Sequence, residues 1–197
     1  ASGSSATMNV LFRGNTINNN QIQAANGTLY CMRGTTSLYT VRENNANNNK
    51  IINTSSTSAS SVFGYSNAGS PTSESIFEND IYDLSIEGAG TSTASSITGI
   101  NLNTSSSSVK NINNNRIRNL QFLNSSTGAA TIIGISQSLA TTASIYSNKI
   151  YDLIATNGAA SLVRGIQISS GSTTNVYNNL IGNLQASAST SGDALRG

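Results

Sequence analysis

Short apolar runs rich in Ile, Leu and Val recur along the chain between stretches of Ser, Thr, Asn and Gly. In the windows Ile76–Leu84, Ile112–Leu120, Ile145–Leu153 and Val176–Leu184 the pattern is the same. The first position is apolar, the fourth is Asn, the sixth is Ile, the eighth is Asp or Asn, and the ninth is Leu. The pair Asn-x-Ile also occurs earlier, so the series reads Asn20, Asn49, Asn79, Asn115, Asn148 and Asn179, with Ile22, Ile51, Ile81, Ile117, Ile150 and Ile181 behind them. Successive isoleucines are 29, 30, 36, 33 and 31 residues apart. Self-similarity at such a period marks a stack of repeated units, none of which buries its apolar face alone.

A second block precedes the first in each unit, centred on Gly34, Gly64, Gly99, Gly134 and Gly165, with Gly197 next in line. Around it Ile100 and Leu102, or Ile166 and Ile168, alternate with polar neighbours, the period of a half-buried strand, and Ile135 belongs to the same series. No segment sustains the spacing of three and four that a helix needs, and the β-branched runs are cut by turn-forming residues. The chain therefore predicts an all-β parallel solenoid over 1–197, a single segment of about six coils of roughly 29–36 residues, less regular over 1–57. Coils stacked at strand spacing give a rod roughly 29 Å long. The six asparagines are expected to stack as an inward ladder, since Asn tolerates a left-handed bend and its amide both donates and accepts. The nine isoleucines Ile22, Ile51, Ile81, Ile117, Ile150, Ile181, Ile100, Ile135 and Ile166 are the expected core. The column Asp83, Asn119, Asp152, Asn183 is expected to face solvent or cap a turn, and the glycines to permit a sharp corner or close backbone approach.

Composition narrows the chemistry. Charged residues make up 9% and the formal net charge is +2, so no basic footprint for nucleic acid is present. With no His and one Cys, the usual zinc sites and a Ser-His dyad are excluded, and Cys31 has no partner for an internal disulfide. No cofactor or metal motif occurs, and no apolar run is long enough to cross a bilayer as a helix. The chain begins at Ala1 rather than Met and ends at Leu195-Arg196-Gly197 in the middle of a recurring element, which predicts a segment of a longer chain.

These segments, Ile145–Leu153 and Val176–Leu184 above all, resemble repeats of right-handed parallel β-helix proteins, and more narrowly those of large secreted bacterial surface proteins that often end in a type IX sorting domain. The resemblance implies an extracellular or cell-surface setting and a structural or adhesive, non-catalytic role, with polysaccharides, other cell-surface components and the rest of its own longer chain as partners. The same fold resembles that of polysaccharide lyases and hydrolases, whose chemistry would need carboxylates converging on one cleft. The acids on offer are Glu43, Glu74, Glu78, Asp80, Asp83, Glu87, Asp152 and Asp193. Phe77, Tyr146 and Tyr177 fall in one repeat column, with Asn113 in the intervening turn, and would contact glycan rings or pack beneath a loop. Lys50, Arg116 and Lys149 follow the Asn series and are expected outside as solvated charges. An ice-binding face, a minor alternative, needs regular Thr rows, and Thr91 and Thr93 lack equivalents in neighbouring turns.

Overall fold

The computed structural model describes residues 9–35, 38–55, 57–88, 95–124, 129–156, 158 and 160–197, with side chains for all of these except 9, 38–39, 103–107 and 124. It is a parallel β-solenoid of about five turns, and every described strand pair is parallel. Thr91 and Thr93 lie outside the described residues.

Each turn has three faces. The first face stacks Gly27–Gly34, Ser60–Asn67, the start of Ser95–Asn113, the start of Ala130–Tyr146, Leu162–Ile168 and Leu195–Arg196. The second stacks Asn9–Arg13, Leu38–Arg42, Ser73–Phe77, the ends of those two long strands, and Gly171–Tyr177. The third stacks Thr16–Asn18 with Gln21–Ala24, then Asn45–Asn53, Asp80–Gly88, Arg116–Asn124, Lys149–Ala155 and Leu180–Gln185.

Alternation along each strand turns one set of side chains inward, and the parallel register stacks like upon like. Val41, Ile76, Ile112 and Ile145 form one buried column on the second face. Ile81, Ile117 and Ile150 form another on the third, beside Leu84, Leu120 and Leu153. Tyr65, Ile100 and Ile135 line the first face. Burying each such side chain stabilises the fold by about 1.5–3 kcal/mol. Of the remaining predicted core residues, Ile51 is fully buried, while Ile22, Ile166 and Ile181 are partly buried against the core.

One corner precedes the third-face strands and a second lies within them, and both are built on left-handed backbone. At the first, Gly14, Glu43, Glu78, Asn114, Ser147 and Asn178 have φ between 53° and 66°. At the second, five residues along, Asn19, Asn48, Asp83, Asn119, Asp152 and Asn183 have φ between 48° and 57°. The residue after each left-handed bend points inward, and the geometry of the two corners is alike. That likeness misleads the sequence pattern in the early turns.

The ladder that follows the first corner runs Asn15, Asn44, Asn79, Asn115, Asn148, Asn179. Asn20 and Asn49 follow the second corner instead and form a separate rung at 2.8 Å, in the column of Leu84. Four of the six predicted asparagines thus share one ladder, and the first two belong to another. The isoleucine series slips with them. Ile22 and Ile51 align with Ile86, Phe122 and Ala155, whereas Ile17 and Ala46 occupy the column of Ile81. Lys50 moves likewise, pairing with Ser85, so it does not share a column with Arg116 and Lys149.

The glycine column needs one correction too. Gly34 pairs with Asn67; the residue level with Gly64, between Tyr30↔Phe63 and Met32↔Tyr65, is Cys31. At Gly64, Gly99 and Gly134 an added Cβ would fall 2.6 Å from the carbonyl oxygen of the next glycine in the column and 2.5–2.7 Å from Cγ2 of Ile81, Ile117 or Ile150. Close approach is therefore what those glycines provide. Where Cys31 replaces glycine, Ala46 replaces the facing isoleucine column member, so the bulk is exchanged across the interior.

Candidate functional site

Inside the solenoid the amide ladder satisfies groups that the strands cannot reach. Asn79 is typical. Its backbone N–H and its Nδ2 both donate to Asn115 Oδ1, at 3.1 and 2.9 Å, and Nδ2 also donates to Val41 O at 2.9 Å. Asn115 repeats this with Asn148 Oδ1 and Ile76 O, and Asn148 with Asn179 Oδ1 and Ile112 O. Asn44, Asn79, Asn115 and Asn148 thus each donate forward along the chain and clip a carbonyl behind them. The ladder has a direction.

A second polar column runs outside, at the second corner. Asn119 Nδ2 donates to Asp83 Oδ1, and Asn183 Nδ2 donates to Asp152 Oδ1 at 2.6 Å. The order Asn48, Asp83, Asn119, Asp152, Asn183 keeps the Asn119 amide between the two carboxylates. Asp83 and Asp152 are two coil steps apart, roughly 10 Å at strand spacing. A shallow depression of about 230 Å³ lies beside this column, lined by Asn48, Asp83, Glu87, Asn119, Gln121 and their neighbours.

The other acids are dispersed. Glu43, at the first corner, meets Arg13 at 2.7 Å and Arg42 at 3.1 Å, and the hydrogen bond from Arg13 holds its carboxyl below the usual range. Asp80 pairs with Arg116 and, at 3.6 Å, with Arg118, and Asp80 raises the Arg116 guanidinium. Glu87 takes Lys50 at 3.0 Å, and Asp193 takes Arg164 at 3.4 Å and Arg196. Glu78 occupies a left-handed corner position. The sequence-predicted acids are therefore not brought together, and among the described residues no group of three His, Cys, Asp or Glu could hold a metal ion.

The aromatic column does form. The register places Arg13, Arg42, Phe77, Asn113, Tyr146 and Tyr177 one above another on the second face. Tyr146 and Tyr177 stack with centroids 5.0 Å apart and planes 1° from parallel, and the Arg42 guanidinium lies 5.7 Å over the Phe77 ring. Tyr177 is 48% exposed. The rings spend their faces on each other along the axis and turn their edges sideways. Two columns that the sequence did not single out behave alike: Tyr30 stacks on Phe63 at 5.1 Å, and Arg118 sits 3.8 Å over Tyr82.

Sequence reasoning also missed a buried polar cluster at the corner between the first and second faces. Glu74 and Lys110 are fully buried and adjacent in the same column. Tyr65 Oη donates to Glu74 Oε1 at 2.8 Å and Asn67 Nδ2 to the same oxygen at 2.9 Å. Lys110 Nζ donates to Leu102 O at 2.9 Å and to Ser138 O at 2.6 Å. Burial pushes Glu74 up, partly offset by those two hydrogen bonds and by Lys110, and pushes Lys110 down to about 8. Burial likewise pushes the Cys31 thiol up to about 12, against a hydrogen bond with Asn49, which makes it a poor nucleophile. The only sequence signal for the cluster is that Glu74 and Lys110 both fall three residues before the aromatic-column position.

Compared with protein-family models, with curated proteins and with solved structures, the chain matches none.

Proposed function

We propose that this chain is a non-catalytic structural or adhesive segment of a large bacterial surface or secreted protein, of the right-handed parallel β-helix kind. In this reading it acts as a stiff spacer, and glycans or other cell-surface components are met by its flank, at the edges of Phe77, Tyr146 and Tyr177. The observation that carries the reading is the forward-donating amide ladder inside unbroken parallel pairing. Such a core resists bending and extension through many equivalent bonds, and the repeat resembles that of secreted surface proteins. The type IX route belongs to the same proposal and rests on that resemblance.

Polysaccharide cleavage is the competing reading, favoured by the depression beside Asp83. Incubation with a glycan panel, followed by assays for new reducing ends and for unsaturated uronic acid, separates the two. The spacer reading expects no release. Release that disappears in Asp83→Asn or Asp152→Asn would replace it with an enzyme. Retention on immobilised glycans, reduced in Tyr177→Ala, tests the flank contact, and protease accessibility of the native protein on intact cells tests the surface location.

A further inference from the structure

The outer polar column carries the same relay twice. Gln121 Nε2 donates to Asn119 Oδ1, and Asn119 Nδ2 donates to Asp83 Oδ1. Two coils on, Gln185 Nε2 donates to Asn183 Oδ1 at 2.7 Å, and Asn183 Nδ2 to Asp152 Oδ1 at 2.6 Å. Residue types, register and direction are shared. The difference is the outward residue two places after the aspartate, Ser85 in the first relay and Ile154 in the second. Both belong to one column, which runs Lys50, Ser85, Gln121, Ile154, Gln185.

Ser85 is the small member of that column, and the depression of about 230 Å³ is the notch it leaves, with Asp83 and Asn119 on one side and Glu87 and Leu123 on the other. It lies in mid-rod: Asn45–Asn53 pairs beside it in one direction and Lys149–Ala155 in the other. Lys50 lies 3.0 Å from one Glu87 oxygen and balances its charge, while Ser85 Oγ donates to the other at 3.1 Å. Asp83 has no ion-pair partner among the described residues, and its Oδ2 has no donor among them. The Asn48 amide is turned away, donating to Asn19 Oδ1. The notch therefore carries one uncompensated negative charge and more acceptor than donor capacity, with a second amide hydrogen left on Asn119 and Gln121. Leu123, 55% exposed, gives it an apolar wall. Such a mixture suits hydroxyls, which donate and accept at once, on a ring with an apolar C–H face. It repels a carboxylate or a sulfate.

We propose that this notch binds one neutral hexose unit of a glycan, its hydroxyls donating to Asp83 Oδ2 and Gln121 Oε1 and its C–H face resting on Leu123. The relay holds both acceptors in place before the sugar arrives, since the amide between them is already committed to Asp83. At the second relay a branched side chain, Ile154, stands where Ser85 leaves room, so that copy of the polar groups has no such notch beside the aspartate. This goes beyond the spacer reading, which places glycan contact at Tyr177 on the second face, and either contact can fail while the other stands.

The test is a nuclear magnetic resonance titration of the full 197-residue chain, isotope-labelled and followed through the side-chain amide signals of Asn119 and Gln121. The probes are the methyl glycosides of glucose, galactose and mannose, with galacturonate and calcium chloride as separate arms. At least one neutral glycoside is expected to shift both amides saturably, and galacturonate neither. Ser85→Ile fills the notch with the side chain its own column already carries at Ile154, and is expected to abolish the shifts with the circular dichroism spectrum unchanged. Asp83→Asn installs the residue that the same corner holds at Asn119 and Asn183, and is expected to weaken binding about tenfold by removing a charged acceptor. Tyr177→Ala should leave binding unaltered. Silence toward all three neutral glycosides overturns the proposal, as does galacturonate binding as tightly as they do, or undiminished binding by either notch variant. A response to calcium chloride alone would make the notch a cation site, and also overturns it.

Discussion

A single methyl group decides whether the first face can lie against the third. Gly99→Ala would put a Cβ 2.6 Å from Gly134 O and 2.7 Å from Ile117 Cγ2, so one backbone or one isoleucine must give way. Overpacking of this kind costs about 1–3 kcal/mol, read as a lower denaturant midpoint at unchanged slope. The first turn offers a sharper version. Ala46 faces the column in which Cys31 replaces glycine, so Ala46→Ile alone is expected to destabilise by a similar amount of about 1–3 kcal/mol, and Cys31→Gly to relieve it. A double-mutant cycle with coupling below about 0.5 kcal/mol would show that the two positions do not share space. On the ladder, Asn115→Leu strips the acceptor from the N–H and Nδ2 of Asn79 and the donor from Ile76 O. Each orphaned buried group costs about 1–3 kcal/mol, so this substitution should unfold the chain far more readily than Asn20→Leu at the exposed early rung.

Within the turns, the sequence displays the repeat and hides its phase. The Asn-x-Ile signature is ambiguous because both corners share the geometry that accommodates it: a left-handed residue, then an inward side chain, then an outward one, then an inward one. From Ile76 onward only the first corner carries Asn, and the predicted register agrees with the strand pairing. In the first two turns both corners carry Asn, and Asn44 is followed two residues on by Ala46 instead of isoleucine, so the eye moves five residues along to Asn49 and Ile51. Candidate chemistry was less legible than architecture for a related reason: which acids converge depends on corner geometry, not on column spacing. The outer column makes its own prediction. Asn119→Asp would set three carboxylates in consecutive turns where an amide now stands between two and donates to one of them. At a 4.8 Å step each new neighbour costs about 1 kcal/mol in a water-like dielectric, and the loss should shrink in high salt.

The buried pair gives the strand stack a pH dependence. Lys110 has a folded pKa of about 8, below its ordinary value of 10.5, so the folded chain releases this proton first. Its contribution to stability is therefore present above 10.5 and lost as pH falls through 8. Glu74 is raised above 4.5, so its contribution is present below 4.5 and lost as pH rises through its folded value. The groups facing Lys110 are the Glu74 carboxylate and the carbonyls of Leu102 and Ser138, with Tyr65 reaching the same carboxylate. Stability measured by denaturant titration should rise from pH 8 toward 10 in the parent chain relative to Lys110→Met. Parallel curves for the two chains would remove Lys110 as the cause.

Across the whole molecule, contacts join residues about one turn apart, so folding must close loops of roughly thirty residues at every step, which slows it. The interior then behaves as a column of near-identical storeys. Because Asn79, Asn115, Asn148 and Asn179 occupy equivalent rungs, excising residues 116–148 would join Asn115 to Lys149 and leave a continuous, shorter ladder. A tandem copy of the same stretch would lengthen it just as smoothly. Glu74 and Lys110 break that freedom, since their attraction exists between two particular neighbours only. A gene that grows or shrinks by whole storeys can therefore do so above Lys110 at little cost, while an insertion between Glu74 and Lys110 strands two opposite charges in oil.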